Sequence, residues 1–264
     1  MRRRLDSELV RRGLATSRTE AASAIRAGLV TVGGRPAAKA STLVGPDEPV
    51  ALAGPPREFV SRGGEKLAAA LDRFRVDPSG RDCLDAGAST GGFTDCLLRR
   101  GAARVIAVDV GYGQLAWPIR QDPRVTVLER TNVRALDPAE LPYPPDLVTA
   151  DLSFISLRLA VPALRTVAAP GAEFVLLVKP QFEAGPSDVG PGGVVRDPTV
   201  WARVIDGVAV ACRDEGLAAV SAMASPLLGP AGNVEFFLLA REGGPDTVDV
   251  DAAVREGLER KAAS

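Results

Sequence analysis

The sequence predicts an α/β protein built on a mostly parallel sheet, with a small α+β unit in front of it. Three observations carry this. From about residue 81 onward, apolar β-branched runs alternate with helical stretches. The last two extended runs, Ala219 to Met223 and Val234 to Ala240, are separated by a Gly/Pro/Asn loop and read as an antiparallel pair. The first 60 residues have a different grain, with two short helices and a few short strands.

In chain order, Leu5, Leu9 and Leu14 flank Arg11 and Arg12 as a short amphipathic helix ending near Gly13. Ser17 and Glu20 form a capping-box pattern. The helix they open puts Ala21, Ala24 and Ile25 on one face and stops near Gly28. Leu29 to Val32 is a strand and Gly33-Gly34 a hairpin turn, with shorter extended pieces around Leu43 and at Val50 to Leu52. Gly54-Pro55-Pro56 closes this unit stiffly. Strands at Asp82 to Asp85, Val105 to Val108, Val125 to Leu128, Leu147 to Ala150 and Phe174 to Val178 follow. Helices at Gly92 to Arg99, Leu157 to Ala168 and Val200 to Glu215 lie between or after them. Strands this continuously apolar are covered on both faces. A parallel sheet closing on an antiparallel last strand is the layout of Rossmann-like methyltransferases. The expected organisation is 1–56 as the small unit, 57–60 as a linker, 61–245 as the large domain and 246–264 as a tail, with residues 241–264 reading as loose.

Composition removes several classes of chemistry. There is no histidine, which excludes Ser-His-Asp and Cys-His nucleophile systems and every His-ligated metal site. Cys83, Cys96 and Cys212 are widely spaced with no C-x-x-C pair, so they read as buried structural thiols, and no metal is expected. The longest strongly apolar runs, such as Phe174 to Val178, are about a quarter of the ~20 residues a membrane span needs. A cytoplasmic protein without membrane attachment is expected, with a monomer favoured. Net charge is −1, yet residues 1–60 hold ten Lys/Arg against six Asp/Glu, so the basic excess sits in the small unit. That asymmetry suggests that the small unit meets a polyanion.

Leu84 to Asp95 reads LDAGASTGGFTD: a strand delivers Asp85, a turn carries Gly87, Ser89, Gly91 and Gly92, and a helix begins with Phe93. Glycines are required where backbone approaches closely or takes φ > 0, and helix-start N–H groups favour polar or anionic ligand atoms. Asp109, 22 residues after Gly87 at the next strand's end, could accept hydrogen bonds from both ribose hydroxyls. The spacing is G-x-x-x-G-G rather than the dinucleotide pattern, and Asp85 would repel a pyrophosphate. It would suit the positively charged methionine end of S-adenosylmethionine, which is therefore favoured over NAD. Asn132 is placed to touch the adenine, or is simply a loop residue.

Ligands in open α/β sheets sit at the carboxyl ends of the strands. Asp151 ends the fourth strand (TADLSF), Lys179 the fifth (VLLVKPQF), and Glu235 starts the last (GNVEFFLL). Lys66 lies in the first helix of the large domain, which normally packs beside the same crevice. Each has a plainer explanation: Lys179 could snorkel from a strand end and Asp151 could cap a helix. Together they suit 2′-O-methylation, in which a weakly acidic ribose hydroxyl must be oriented and eased of its proton. Lys66 and the sulfonium would supply positive charge to Lys179, and the two carboxylates would hold the amines. Base amino-group methylation fits less well, because the strand-four end reads Asp151-Leu152-Ser153-Phe154 and lacks the usual Pro-Pro-aromatic stretch.

These residues resemble a known family. LD-x-x-L with RRGLATSR, then AxxxIRAGLVTVGG and Lys39, resembles the S4-type (alpha-L) RNA-binding domain. VSRGGEKL, LDAGASTGGFTD, VDVGYGQL, ADLSFISL, LLVKPQFE and GPAGNVEFF resemble the TlyA (haemolysin A) family of rRNA methyltransferases, whose catalytic domain is of the FtsJ type. The resemblance covers about residues 4 to 241. It implies a seven-stranded Rossmann-like methyltransferase domain behind an RNA-binding domain, and a lysine–aspartate–lysine–glutamate catalytic set on Lys66, Asp151, Lys179 and Glu235. Candidate cofactor contacts are Asp85, Gly87, Ser89, Gly91, Gly92, Phe93, Asp109, Asn132 and Asp151. It also implies methylation of cytidine 2′-hydroxyls in rRNA of both ribosomal subunits, with sensitivity to capreomycin-type antibiotics as a consequence. Arg3, Arg4, Arg11, Arg12, Arg18, Lys39 and Arg62 are candidate phosphate contacts, which would orient an RNA without reading its sequence.

The rivals are an NAD-linked dehydrogenase, a non-enzymatic RNA binder on a dead methyltransferase fold, and a membrane-lytic protein. Calorimetry separates the first: S-adenosylhomocysteine is expected to bind more tightly than NAD, and the reverse order would sink the methyltransferase reading.

Overall fold

The computed structural model describes residues 2–15, 17–53 and 58–263. The expected stop at Gly54-Pro55-Pro56 and the first linker residue, Arg57, lie outside them. Backbone contacts divide the chain into two units, one up to Ser61 and one from Arg62 onward.

In the first unit, β1 (Arg3–Arg4) leads into α1 (Leu5–Arg11), followed by α2 (Arg18–Arg26), β2 (Val30–Val32), β3 (Arg35–Pro36), β4 (Leu43–Val44) and β5 (Val50–Leu52). The Ser17 hydroxyl accepts the Glu20 N–H at 3.2 Å and starts α2. Gly33 and Gly34 take φ of +56° and +77°, the two left-handed positions that a two-residue turn between β2 and β3 requires. Leu5, Leu9, Ala21, Ile25, Val30 and Val44 close a small core.

The second unit runs α3 (Arg62–Phe74), β6 (Asp82–Ala86), α4 (Gly92–Arg99), β7 (Arg104–Asp109), α5 (Trp117–Arg120), β8 (Val125–Glu129) and β9 (Leu147–Ala150). It continues with α6 (Leu157–Val167), β10 (Glu173–Val178), α7 (Pro180–Glu183), α8 (Pro198–Asp214), β11 (Leu217–Ala224), β12 (Phe236–Glu242) and α9 (Val250–Ala262). Seven strands form one sheet in the order β11-β12-β10-β9-β6-β7-β8. The pairs among β6 to β10 are parallel, and β12 runs antiparallel to both its neighbours. The final hairpin is thus not an outer flap: β12 is inserted beside β10 and β11 takes the edge.

Period-two alternation covers both faces. Leu84, Ile106, Val148, Leu176 and Leu238 share a core with Leu164 of α6 and Trp201 of α8. Their alternates Cys83, Val105, Leu147, Leu177 and Phe237 point the other way and are equally buried, with Phe93 of α4 stacked on Phe237 at 6.1 Å. All three cysteines are buried, and burial pushes each thiol up to about 12, as befits structural thiols.

Residues 241–264 are not loose throughout, because they contain α9. The Asp249 carboxylate accepts the Ala252 N–H at 2.8 Å to start that helix, and Ala253 is fully buried. The helix seats on the sheet through small residues: a Cβ on Gly257 would lie 3.0 Å from the Phe236 ring and 3.1 Å from Val234 Cγ1. Gly257→Leu is accordingly expected to destabilise the second unit by about 1–3 kcal/mol through overpacking. Urea or thermal unfolding checks it, and an unchanged midpoint would mean that α9 is not seated as described.

Candidate active site

The parallel strands all deliver their carboxyl ends to one edge, and the polar residues collect there. Val178 pairs with Phe236 across the β10–β12 ladder, so one further step brings Lys179 opposite Glu235. Asp151 directly follows β9, the other neighbour of β10. Lys66 comes from α3, on its buried face with Leu67 and Ala70.

Two ion pairs result. Lys66 Nζ meets Glu235 Oε2 at 2.5 Å, with both side chains buried. Lys179 pairs with Asp151 Oδ1 and donates to Ser153 Oγ at 3.1 Å. Each amine has its own carboxylate, so the set is formally neutral. Gly229 leaves the space that Glu235 occupies, since a Cβ there would stand 2.6 Å from its Oε1. Asn233 steadies the same loop, accepting from Val195 N at 2.9 Å and donating to Gly193 O at 2.8 Å.

The glycine-rich turn lies against this set. Gly87 (φ +86°) approaches Asp151 so closely that a Cβ would be 2.5 Å from the Asp151 carbonyl oxygen. Gly91 (φ +92°) presses on Leu115 and Ile119 in the same way. Both glycines therefore serve contacts within the protein as well as the turn. Ser89 N donates to Asp109 Oδ2 at 2.8 Å, and Gly111 N to Asp109 Oδ1 at 2.7 Å, which locks the carboxylate at the end of β7. Asp85 is fully buried; its Oδ2 accepts from Thr94 Oγ1 at 2.6 Å, and among the described residues its Oδ1 has no hydrogen-bond partner. Burial pushes the Asp85 carboxyl up to about 7, with the charges of Asp151 and Asp109 adding to the shift and the Thr94 hydrogen bonds opposing it.

Several of the expected contact residues have partners within the protein. Gly92 opens α4 as anticipated, but the Phe93 side chain is core, stacked on Phe237. Asn132 is exposed, and its Oδ1 caps a short turn by accepting Arg134 N at 3.0 Å. In the first unit, Asp6 and Glu8 are buried and draw in four of the candidate arginines. Arg4 and Arg18 lie 2.9 and 3.0 Å from Asp6, and Arg11 and Arg12 lie 2.6 and 2.7 Å from Glu8. The Arg4 hydrogen bond, with help from Arg18, holds the Asp6 carboxyl well below the usual range. Arg12 also donates to the carbonyls of Gly45, Pro46 and Glu48, so it ties α1 to the β4–β5 turn rather than facing solvent. Arg3, Lys39 and Arg62 are exposed.

Sequence reasoning passed over Ser153, Phe154 and Glu183. Phe154 is 92% exposed, has φ of +64°, and packs on Phe182 with centroids 5.2 Å apart. An exposed phenyl ring held on left-handed backbone is a conformation that persists only where the surroundings impose it, and no hydropathy pattern announces it.

The family model for FtsJ-like methyltransferases matches residues 59–242, and that for the S4 domain matches residues 3–50. The chain belongs to the FtsJ-like methyltransferase family. Within that family it is 55% identical over 241 residues to the 16S/23S rRNA (cytidine-2′-O)-methyltransferase TlyA of Mycobacterium tuberculosis, covering 91% of this chain and 90% of the relative. It is 36% identical to Hemolysin A of Brachyspira hyodysenteriae, covering 88% and 97%. A solved structure named as a hemolysin of Streptococcus thermophilus matches 99% of this chain and 98% of that one, with a TM-score of 0.81 and 35% identity. An S-adenosylmethionine-dependent methyltransferase of Listeria monocytogenes, 15% identical, shares the fold at a TM-score of 0.51 over 70% of this FtsJ-like chain. Despite the hemolysin names, no described helix is long and apolar enough to cross a membrane, and no group of metal-ligating side chains occurs among the described residues.

The raised Asp85 carboxyl yields a pH prediction. With its folded pKa above the ordinary value, the ligand-free protein retains a proton here that an unfolded chain would release, so this stabilisation is full below pH ~4 and is lost as pH rises toward about 7. A ligand ammonium at the glycine-rich turn would favour the ionised form and displace that proton. Affinity for S-adenosylhomocysteine is therefore expected to rise by up to about tenfold per pH unit below 7 and to level off above it. Calorimetry from pH 5.5 to 8.5 reads this, and Asp85→Asn should flatten the curve; a flat wild-type curve would remove Asp85 from the cofactor site.

Proposed function

We propose that the chain transfers a methyl group from S-adenosylmethionine to the 2′-hydroxyl of cytidine in ribosomal RNA, acting in the cytoplasm on rRNA of both subunits. The observation that carries this reading is the pair of lysine–carboxylate contacts at adjoining strand ends, Lys66–Glu235 and Lys179–Asp151, with Asp151 directly against the Gly87 turn. The naming of the Mycobacterium tuberculosis relative supports the substrate. The modification would raise sensitivity to capreomycin-type antibiotics.

The residues present fit the methyl donor. Asp85 offers an unpartnered buried carboxylate oxygen for a cationic methionine end, and Asp109, held by two backbone N–H groups, keeps lone pairs for ribose hydroxyls. The glycine-rich turn at the head of α4 leaves N–H groups for polar ligand atoms. When bound, S-adenosylmethionine supplies a methyl group on a positively charged sulfur. Lys179 then stands to orient the ribose hydroxyl and, after giving up its own ammonium proton to solvent, to take the hydroxyl's proton at Nζ. Asp151 and Ser153 fix that amine, and Lys66 and Glu235 shape the charge beside it. Holding nucleophile and methyl in line contributes most of the remaining acceleration. A nucleotide turned out of its helix would bring its base over the exposed Phe154 ring. The first unit would hold the RNA by its phosphates, with Arg3, Lys39 and the outward edges of Arg4, Arg11 and Arg18 as contacts, and Arg62 is a further candidate contact on the second unit.

The test incubates separated ribosomal subunits with labelled methyl donor and maps the product. Label is expected on 2′-O-methylcytidine in each subunit and is lost in Lys179→Ala. Label on a base, or full labelling by the variant, would refute the proposal.

A further inference from the structure

Glu183 is an acid that the proposed chemistry does not use, yet it is buried and fully engaged. Its Oε1 accepts Leu157 N at 2.6 Å, its Oε2 accepts Ser156 Oγ at 2.5 Å, and Arg158 Nε lies 3.5 Å away. The Arg158 guanidinium also donates to the Glu183 carbonyl at 3.2 Å. Burial raises the carboxyl above its ordinary value, against the hydrogen bonds that favour its charge. An acid is seldom kept in such a place unless its partners matter.

Those partners form the start of α6. Ser156 is the N-cap residue, whose hydroxyl accepts Arg158 N, and Leu157 carries the first orphan N–H of the helix. A carboxylate there also favours the helix dipole. Glu183 thus supplies, from another element, half of a composite cap.

Its place in the chain decides what the cap is for. Lys179 is the N-cap of α7 and Glu183 is the last residue of that helix. Facing them is the irregular segment Asp151 to Ser156, and the two runs meet in step. Lys179 holds Asp151 and Ser153, Phe182 packs on Phe154, and Glu183 holds Ser156 and Leu157. The upstream end of the segment is fixed by Asp151 N donating to Ala86 O. Between these anchors Phe154 is kept at φ +64°, a conformation that persists only where the surroundings impose it. The downstream anchor closes the segment that sets Ser153 against Lys179 and Phe154 against Phe182.

We propose that Glu183 is a positioning residue for methyl transfer, fastening the Asp151–Ser156 loop so that Asp151 and Ser153 present Lys179 to the acceptor hydroxyl. This rests on the proposed function and adds a residue to it. Glu183→Ala is expected to lower kcat on ribosomal subunits by about tenfold to a hundredfold. KM for S-adenosylmethionine and affinity for S-adenosylhomocysteine should stay at wild-type values, because the Asp85–Asp109 side is untouched. Glu183→Gln keeps an acceptor for Leu157 N and can donate to Ser156 Oγ, so its kcat should recover to within about threefold of wild type. Ser156→Ala, which removes one tie without emptying a buried site, should fall between them. Unchanged kcat in Glu183→Ala and Ser156→Ala overturns the proposal, and so does loss of cofactor affinity in parallel with kcat, which would mark general unfolding. Wild type and Lys179→Ala run alongside: absent ribose label in the wild type, or label surviving Lys179→Ala, defeats the proposed function and this inference with it, whereas normal controls with an unaffected Glu183→Ala defeat the inference alone.

Discussion

The Lys66–Glu235 pair is the constraint around which the catalytic unit is arranged. Two charges taken out of water cost several kcal/mol each, and only a close partner offsets that cost. Neither residue can supply the partner locally, because they are 169 positions apart in sequence. The pair requires α3 to lie beside the sheet and requires the last strand to begin where α3 can reach it. A plain hairpin added at the edge would leave Glu235 a strand further out. Insertion of β12 between β10 and β11 brings Glu235 level with Lys179. Gly229 then has to be glycine, since Glu235 Oε1 occupies the space of its side chain.

A second dependency joins the glycine-rich turn to the acceptor side. Gly87 touches the backbone of Asp151, and Asp151 N is hydrogen-bonded to Ala86 O. The turn after β6 and the loop after β9 are therefore one packed piece. A side chain at Gly87 would strain a left-handed backbone and push directly on the residue that holds Lys179. Asp85 and Asp109 sit at the base and the far side of this piece, which keeps the Asp85–Asp109 side and the Lys179 side in fixed relation without a linking side chain.

Much of this was legible in the sequence, and the parts that were not share a cause. The strands were readable because runs such as Phe174 to Val178 are apolar on both faces, and the strand ends then pointed to Asp151, Lys179 and Glu235. Lys66 was legible chiefly through family resemblance, since nothing in SRGGEKLAAAL marks that lysine as buried. Helix α9 was missed because it seats through Ala253 and Gly257, residues too small to register as a hydrophobic stripe. Phe93 read as a cofactor neighbour from its place beside the glycines, but its side chain turns to Phe237, 144 positions on, which local pattern cannot reveal. Arg12 read as an RNA contact for the same reason, because its carbonyl partners lie more than 30 residues downstream. Glu183 in the string PQFE looks like surface until α6 is placed above it.

The distribution of charge gives the two units separate tasks. At the reaction centre two lysines face an aspartate and a glutamate, so the site offers no net attraction to a phosphate backbone before a cofactor is bound. Asp85, its proton held more tightly by burial, adds only a titrating negative charge. In the proposed chemistry the sulfonium charge is lost as the methyl transfers and a positive charge is regained at Lys179 as Nζ takes the hydroxyl proton, so charge would shift within this region at each turnover. The proposed binding through exposed cations of the first unit would be independent of such shifts, because Arg3, Lys39 and the arginines braced on Asp6 and Glu8 carry the same charge throughout the cycle. Those buried acids lower the net charge of the unit, but they hold long side chains in place, so less conformational entropy remains to be lost when a phosphate arrives.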